Sequence, residues 1–247
     1  MRVAALYDIH SNLPALEAVV RDVHRDKIDR IVVGGDVFPG PMPRETIAYL
    51  RGLDIPVEYI RGNGDREVLA SLDGDETGGV PEKFRHLVTW TAHQLRPEDA
   101  MMVAEWQPTL RIEIAGIGDV LFCHATPRND TEMFTRETPE ANLLPVFAGV
   151  GSSPVVCGHT HMQFDRMIGA TRVVNAGSVG MPFGERGAYW LQLGPDVRLR
   201  RTEYDYAAAA ERIRSTKYPE ADDFAERNVL RPPSEHEVLE QFRRVEI

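Results

Sequence analysis

The chain has 247 residues, of which 43 % are hydrophobic, and 28 Lys and Arg against 38 Asp and Glu give a formal net charge of −10. This length and apolar content predict one sizeable core, while the acidic balance argues against a nucleic-acid polymer or an anionic membrane as partner. No apolar run approaches the roughly 20 residues that a membrane span needs, and the N-terminus turns polar too early for a signal peptide. Two cysteines, Cys123 and Cys157, lie in apolar runs. Such cysteines are typical of reduced core thiols, so a cytoplasmic location is expected.

The first half of the chain alternates strand patterns with helix patterns. Strands are expected at three apolar runs, 2–7, 29–35 and 55–60. Helices are expected after each of them, from about Leu13, over about 43–53 and from about Arg66. Because the strands are apolar throughout and alternate with helices, they predict a sheet with helices on both faces.

The second half is richer in strands. A polar, Gly-rich loop at 73–80 and a helical pattern at 81–106 come first. Strand patterns follow, namely "TLRIEIAG", "DVLFCHA", "SPVVCGH", "TRVVNAG", "AYWLQLG" and "VRLRRTEY", of which the last two form a predicted antiparallel hairpin. Residues 205–247 are helical and charged, with a break at "RPPS". The predicted fold class is therefore α/β, a two-sheet sandwich over 1–204 with a helical extension over 205–247 packed on it.

Five of the predicted strands end in side chains that can bind a metal ion. These side chains are Asp8 and His10, Asp36, Asn63, His124, and His159 with His161. Residues two apart on an extended chain point the same way, so Asp8/His10 and His159/His161 are each expected to act as a pair. The carboxyl ends of neighbouring strands converge on one crevice, where open α/β sheets place their sites.

Seven ligands are too many for one ion that must also leave room for a substrate. They suit two divalent ions, with the carboxylate of Asp36 bridging them. Imidazole with carboxylate favours manganese, iron, zinc, nickel or cobalt over calcium or magnesium. For each residue alone a structural role is the alternative: Asp36 and Asn63 can cap helices, and His124 can be a core histidine.

The ordered motifs "DIH", "GGD", "GNGD", "CH" and "GHTH" resemble those of the calcineurin-like metallophosphoesterase superfamily, in particular its small prokaryotic phosphodiesterase branch. The resemblance runs from Asp8 to about Gly180 and includes "HATPRND" and "NAGSVG". It implies a sandwich fold and two transition-metal ions, with manganese expected first. It also implies one ligand set of Asp8, His10, Asp36 and His161 and another of Asp36, Asn63, His124 and His159.

The reaction implied by this resemblance is the hydrolysis of phosphate esters. Two cations roughly 3.5–4 Å apart clamp a phosphoryl group, and a hydroxide that bridges them attacks in line with the leaving group. Arg128, and after it Arg66, are candidates to hold the phosphate, because guanidinium pairs with phosphate oxygens in a fork geometry. The expected catalytic residues are Asp36, Asn63, Asp65 and Arg128, and the expected partner is a small phosphorylated or nucleotide-like substrate.

Gly64 departs from the pattern of the family's phosphatase members, which carry there a histidine that protonates the leaving oxygen, oriented by the residue that is Asp65 here. Proton donation contributes about 10²–10⁴-fold, so its loss favours substrates with good leaving groups. We therefore expect a phosphodiesterase or nucleotide pyrophosphate-type hydrolase, in which His86 or His93 could replace the acid. Gly64 is expected to leave space above the metals for a larger substrate; the alternative is that a tight turn requires a positive φ there.

Two other classes of function compete with this hypothesis. A metal-binding scaffold with the same fold and little turnover is consistent with the missing histidine. A dinucleotide-binding oxidoreductase is disfavoured, because "VVGGDVF" lacks the G-x-G-x-x-G pattern. Asn12 and Asn175 are expected to bond within loops, and the amphipathic segment "EHEVLEQFRR" to pack on its own domain or on a second copy of the chain.

Overall fold

The computed structural model describes residues 1–75 and 79–247. Part of the predicted loop at 73–80 therefore lies outside the described residues. The first five-stranded sheet has the order β10–β9–β1–β2–β3, in which β1, β2 and β3 are parallel and β9 and β10 are antiparallel additions. Its strands are β1 (Val3–Leu6), β2 (Arg30–Gly34), β3 (Val57–Ile60), β9 (Ala188–Leu193) and β10 (Val197–Thr202).

The second sheet also has five strands, in the order β4–β5–β6–β8–β7. Strands β5, β6 and β8 are parallel, and β4 and β7 pair antiparallel at the two edges. Its strands are β4 (Thr109–Ile114), β5 (Gly118–Cys123), β6 (Val155–Cys157), β7 (Phe164–Ile168) and β8 (Thr171–Asn175).

Period-two alternation along the strands builds the layers of the sandwich. On β1, Val3 and Ala5 face a core between the two sheets, which also contains Phe122 of the second sheet. Ala4 and Leu6 face the other way, into a core beneath helices of the first half. Those helices are α1 (Leu13–Arg25), α2 (Pro43–Arg51), α3 (Asn63–Leu72), α4 (Glu82–Gln94) and α5 (Pro97–Ala104).

A third core covers the outer face of the second sheet beneath α6 (Glu140–Phe147). The predicted two-sheet α/β sandwich is thus confirmed, as is the antiparallel hairpin of β9 and β10. Within the described residues, no helix combines the length and the apolar character that crossing a membrane requires.

The C-terminal segment is helical and breaks where the sequence predicts. It comprises α7 (Tyr206–Arg214), α8 (Ala221–Phe224), a π-helix (Ala225–Leu230) and α9 (Glu235–Phe242). Ile213, Phe224 and Val229 form a small core with Leu87 of α4, and Val238 and Leu239 of α9 pack on Met162. The division of the chain at residue 204 stays a prediction.

Three local predictions were wrong. The helical stretch 81–106 is two helices, because Pro97 opens α5 and holds Arg96 before it in an extended conformation. Helix α3 begins at Asn63 rather than near Arg66. Phe84, placed by its spacing on the apolar side of α4, is 43 % exposed.

Candidate metal centre

The predicted ligands lie at one edge of the sandwich, one to four residues beyond the ends of five strands. Strands β1, β2, β3, β5 and β6 end at Leu6, Gly34, Ile60, Cys123 and Cys157. Six of the predicted ligands form two groups, Asp8, His10 and His161 in one and Asp36, His124 and His159 in the other. Within each group the potential ligand atoms lie within 4.8 Å of one another. The prediction that these side chains converge is confirmed.

In the first group, the Nε2 atoms of two histidine rings face each other. His10 Nε2 lies 3.2 Å from His161 Nε2, which is 3.4 Å from Asp8 Oδ1. His161 Nδ1 donates to the carbonyl oxygen of Met181 at 2.7 Å, and His10 Nδ1 faces that of Pro39 at 3.3 Å. Because a carbonyl accepts only, both Nδ1 atoms carry the proton and both Nε2 atoms present lone pairs. This arrangement suits a cation between them, with the outer bonds fixing the rings.

The second group is completed by Asn63, which opens α3. Its Oδ1 lies 3.1 Å from His124 Nε2, and His159 Nδ1 lies 3.0 Å from the same amide position. His124 Nδ1 donates to the carbonyl oxygen of Gly34 at 3.0 Å, so Nε2 is the atom that presents a lone pair once the ring is neutral. The amide oxygen faces three acceptors, these two ring nitrogens and the carbonyl oxygen of Asp130. A cation beside the two nitrogens would suit this orientation, whereas rotating the amide would satisfy the same groups without a cation.

Asp36 lies between the two groups. Its Oδ1 is 3.4 Å from His124 Nε2, and its Oδ2 is 3.9 Å from His10 Nε2. One carboxylate oxygen therefore faces each group, as a bridging ligand requires. Among the described residues, two buried polar atoms of the cluster, Asp8 Oδ1 and His159 Nε2, have no hydrogen-bond partner. A donor set of imidazole, carboxylate and amide with orphaned buried atoms fits divalent transition-metal ions.

The cluster is electrostatically coupled. Burial would raise the pKa of Asp36, but the neighbouring His124 outweighs it and holds that pKa well below its usual range. Burial would lower the pKa of His124, but the Asp36 carboxylate raises it to about 10. Burial, helped by the charge of His124, lowers the pKa of His159 to about 4. In the absence of metal, His124 rather than His159 is therefore the protonated histidine of the second group.

The backbone at the ligands is not extended. Asp8, His10, Asp36, His159 and His161 all have φ between 45° and 68°, in the left-handed region. The expected pairing of residues two apart assumed an extended backbone, and that assumption was wrong. For His159 and His161 the predicted pair was also wrong, because these two belong to different groups. Left-handed non-Gly residues cost about 1–3 kcal/mol each and cluster at functional sites.

Asp65 is a structural anchor of the site. Its buried carboxylate accepts hydrogen bonds from the backbone N–H groups of Asp36 at 2.9 Å, Phe38 at 3.1 Å and Gly62 at 3.0 Å. The bond to Gly62 also caps the N-terminus of α3. Position 64 offers no histidine for Asp65 to orient, and its carboxylate binds three backbone N–H groups.

Two sequence interpretations of Gly64, extra space at this position and a positive φ, were wrong. Gly64 lies in the first turn of α3 and is not among the glycines with positive φ. A Cβ atom there would come within 3.0 Å of the carbonyl oxygen of Phe38, so no free space exists at this position. The residue is glycine because the loop of Phe38 and Pro39 approaches α3 closely, and the Gly64 N–H donates to Asp36 Oδ1 at 2.7 Å.

The two candidate arginines are both held by carboxylates. Arg128 is half exposed and binds Glu132, with Nη2 to Oε1 at 2.6 Å. Arg66 binds Asp130 at 2.7 and 3.1 Å, and the carbonyl oxygen of Asp130 lies 3.2 Å from the Asn63 amide. Their phosphate-binding roles stay predictions, and the structure places Arg66 beside the second ligand group.

Asn12 and Asn175, the two further asparagines considered from the sequence, bond to loop backbone as expected. Asn12 accepts from Ala15 N–H and donates to the carbonyl oxygen of Gly180. Asn175 donates to the carbonyl oxygen of Gly158 at 2.7 Å and thereby supports the loop that carries His159.

Two residues next to the ligands escaped sequence reasoning. Phe183 stacks on the ring of His161 with centroids 5.4 Å apart, and nothing in its local sequence signals this. Glu67 lies beside the Asn63 side chain, and its position four residues after Asn63 on a helix is a signal that could have found it. Burial raises the pKa of Glu67 to about 7, with Asp36 adding to the shift.

Comparison with known proteins agrees with this geometry. The family model described as the calcineurin-like phosphoesterase superfamily domain matches residues 1–193. An uncharacterized protein of Methanocaldococcus jannaschii is 27 % identical over 239 residues, covering 88 % of this chain and 94 % of its own.

Solved structures share the fold over nearly the whole chain. A hypothetical protein from Pyrococcus horikoshii OT3 aligns with a TM-score of 0.79 and 22 % identity, covering 94 % of this chain and 99 % of that one. A metallophosphoesterase from Sphaerobacter thermophilus aligns with a TM-score of 0.70 and 25 % identity, covering 92 % and 97 %. These alignments extend beyond the family match into the C-terminal segment.

Proposed function

Because the chain belongs to the calcineurin-like phosphoesterase superfamily, we propose that it hydrolyses small phosphodiesters or nucleotide pyrophosphates with two divalent metal ions. One observation carries the proposal: two groups of bare ligand atoms flank the carboxylate of Asp36 at a single edge of the sandwich. Fold alone would not support an activity. The site supports it through its chemistry.

The seven side chains divide between the two ions as the family resemblance implies. Divalent ions bound there would neutralise charge on the phosphoryl oxygens and activate water near neutral pH, and we take manganese as the first ion to test. One ion would be held by Asp8, His10, Asp36 and His161, the other by Asp36, Asn63, His124 and His159.

Hydrogen bonds from surrounding residues position the ligand side chains. Backbone carbonyls fix the rings of three histidines through their Nδ1 atoms. Asp65 fixes the loop of Asp36, and Arg66, positioned by Asp130, is our first candidate to bind a phosphate oxygen, with Arg128 as the second. A guanidinium already ordered by a carboxylate loses little conformational freedom on binding phosphate.

Gly64 directs the proposal toward diesters. The position cannot carry a side chain without moving the loop of Phe38, so no acid for the leaving oxygen stands there. Substrates whose leaving group has a low pKa depend least on such an acid. Aryl diesters and phosphoanhydrides are therefore expected to react faster than alkyl monoesters.

The test is a side-by-side assay of the Mn²⁺-loaded protein with bis(p-nitrophenyl) phosphate and p-nitrophenyl phosphate. The diester is expected to react faster, and Asp36→Ala and His161→Ala are expected to abolish turnover. His236→Ala is the matched control, since His236 is 81 % exposed on α9. Faster monoester hydrolysis, or full activity in the Asp36 variant, would overturn the proposal.

The second candidate is a metal-binding scaffold with little turnover, which the missing histidine at Gly64 favours. It predicts two bound ions per chain and no hydrolysis of either ester with any first-row metal. The same assay, with metal content measured in parallel, separates the two candidates.

A further inference from the structure

A groove between α3 and α4 leads away from the metal centre. It has a volume of 390 Å³ and is lined by residues of both helices and by Pro219 of the C-terminal segment. That volume lies within the range of small-molecule sites. None of the predicted metal ligands lines it, so it is a separate site that adjoins the centre.

One face of α3 connects the metal centre to the groove. Asn63, Glu67 and Ser71 follow one another at four-residue spacing, so they lie on the same face of the helix. Asn63 faces the second ligand group, Glu67 lies beside Asn63, and Glu67 and Ser71 line the groove. At 1.5 Å per residue, the groove extends from about 6 to about 12 Å from Asn63 along the helix axis.

The opposite wall comes from α4 and presents an aromatic surface between polar groups. His86, Trp90 and His93 share one face of α4 at spacings of four and three residues and line the groove. The indole of Trp90 is fixed by an edge contact with Tyr218, at 5.3 Å between centroids. His86 binds Glu220 at 3.1 Å, which ties the C-terminal segment to the outer rim.

Where the two helices meet, the groove offers hydrogen-bonding groups. Ser71 Oγ lies 3.4 Å from Thr89 Oγ1, so these two hydroxyls meet at the junction of α3 and α4. A half-buried indole beside hydroxyl, carboxylate and imidazole groups suits a flat heteroaromatic ring with donors and acceptors on its edge.

We propose that this groove binds a nucleobase-like heteroaromatic group of the substrate while the phosphoryl group lies at the metal centre. This inference rests on the proposed function and narrows its substrate class from phosphodiesters in general to those that carry such a ring. It assigns His86 and His93 to this binding site, in place of the expected role as acids at the metal centre.

The test compares two ligands of the Mn²⁺-loaded full-length protein by calorimetry, adenosine 5′-monophosphate and ribose 5-phosphate, in which a hydroxyl group replaces the base. Stacking and edge contacts are expected to make the nucleotide bind about tenfold more tightly or better. Filling the groove with Ser71→Trp, or from the other wall with Thr89→Trp, is expected to reduce nucleotide affinity to that of ribose 5-phosphate. Ser152→Trp, at an exposed loop position before β6, is expected to keep the tenfold difference.

Equal binding of the two ligands by the wild-type protein would overturn the proposal. A preserved difference in folded Ser71→Trp and Thr89→Trp variants, checked by thermal unfolding, would overturn it as well. The hydrolysis of bis(p-nitrophenyl) phosphate reports on the proposed function separately. If both groove variants abolish the base-dependent binding but the wild-type protein does not hydrolyse that ester, the groove proposal is supported and the proposed enzymatic function is refuted. If the protein hydrolyses the ester but binds the two ligands equally, only the groove proposal is refuted.

Discussion

The carboxylate of Asp65 accepts a hydrogen bond from the backbone N–H of Asp36 at 2.9 Å. This contact joins the first turn of α3 to the loop after β2, and bonds from Phe38 and Gly62 to the same carboxylate reinforce it. The position of Asp36 between the two ligand groups and the entry of Asn63 into the site thus depend on one buried side chain.

Asp65→Asn is expected to weaken metal binding although Asp65 is not a ligand. The amide has only one acceptor oxygen, so at least one of the three N–H groups loses its partner, at a cost of about 1–3 kcal/mol in unfolding free energy. Loss of such outer support typically lowers metal affinity about 10–100-fold. Metal titration and thermal unfolding measure the two effects. Asp119→Asn, which removes a surface pair with Arg111, should change neither appreciably, and equal behaviour of the two variants would contradict the role of Asp65.

Gly64→His is expected to destabilise the protein rather than create a phosphomonoesterase. The new Cβ meets the carbonyl oxygen of Phe38, and such overpacking costs about 1–3 kcal/mol. Denaturant unfolding and p-nitrophenyl phosphate hydrolysis provide the two measurements. Gly149→Ala is the control, because nothing lies near a Cβ there and its φ is not in the left-handed region. A stable Gly64→His protein with raised monoesterase activity would show that the loop accommodates the family's histidine.

Phe242→Ala is expected to weaken one metal site and spare the other. Phe242 of α9 packs edge-on against Phe183 with centroids 6.1 Å apart, and Phe183 stacks on His161. Loss of this support should lower affinity in the group of Asp8, His10 and His161. Metal analysis at limiting Mn²⁺ should then approach one ion per chain, whereas Phe84→Ala at an exposed position should keep two. Equal loss from both groups would refute a selective effect of α9.

Metal loading is expected to release protons at neutral pH. Without metal, Asp36 raises the pKa of His124 to about 10 against the effect of burial, so His124 is protonated at pH 7. The stabilisation from this charged pair is fully present below the unfolded pKa of about 6.5 and is lost as pH rises toward 10. A metal ligand must be deprotonated, so affinity should fall as pH falls. Calorimetry in buffers of different ionisation enthalpy should show release of at least about one proton, and the absence of release would contradict ligation by His124.

Much of the site was predictable because the ends of the strands can be recognised in the sequence. Apolar runs followed within three residues by Asp8, Asp36, Asn63, His124 and His159 place these groups at one edge of the sandwich without knowledge of any contact. Their division between two ions came from the family resemblance. The spacing argument alone paired His159 with His161, which the left-handed backbone separates.

Other features depended on contacts that no local pattern records. Strand β7 was missed because it is an edge strand with exposed Asp165, and α6 was missed because Pro145 lies inside it. The reason for Gly64 is an approach by Phe38, 26 residues earlier in the chain. The stacking of Phe183 on His161 and the groove between α3 and α4 likewise arise only when distant segments meet.

Anomalous diffraction from crystals grown with Mn²⁺ tests the central claim most directly. We expect two manganese peaks per chain, one on each side of the Asp36 carboxylate, with the Asn63 amide oxygen turned toward the ion near His124. A single peak, or peaks bound by side chains outside these seven, would contradict the assignment.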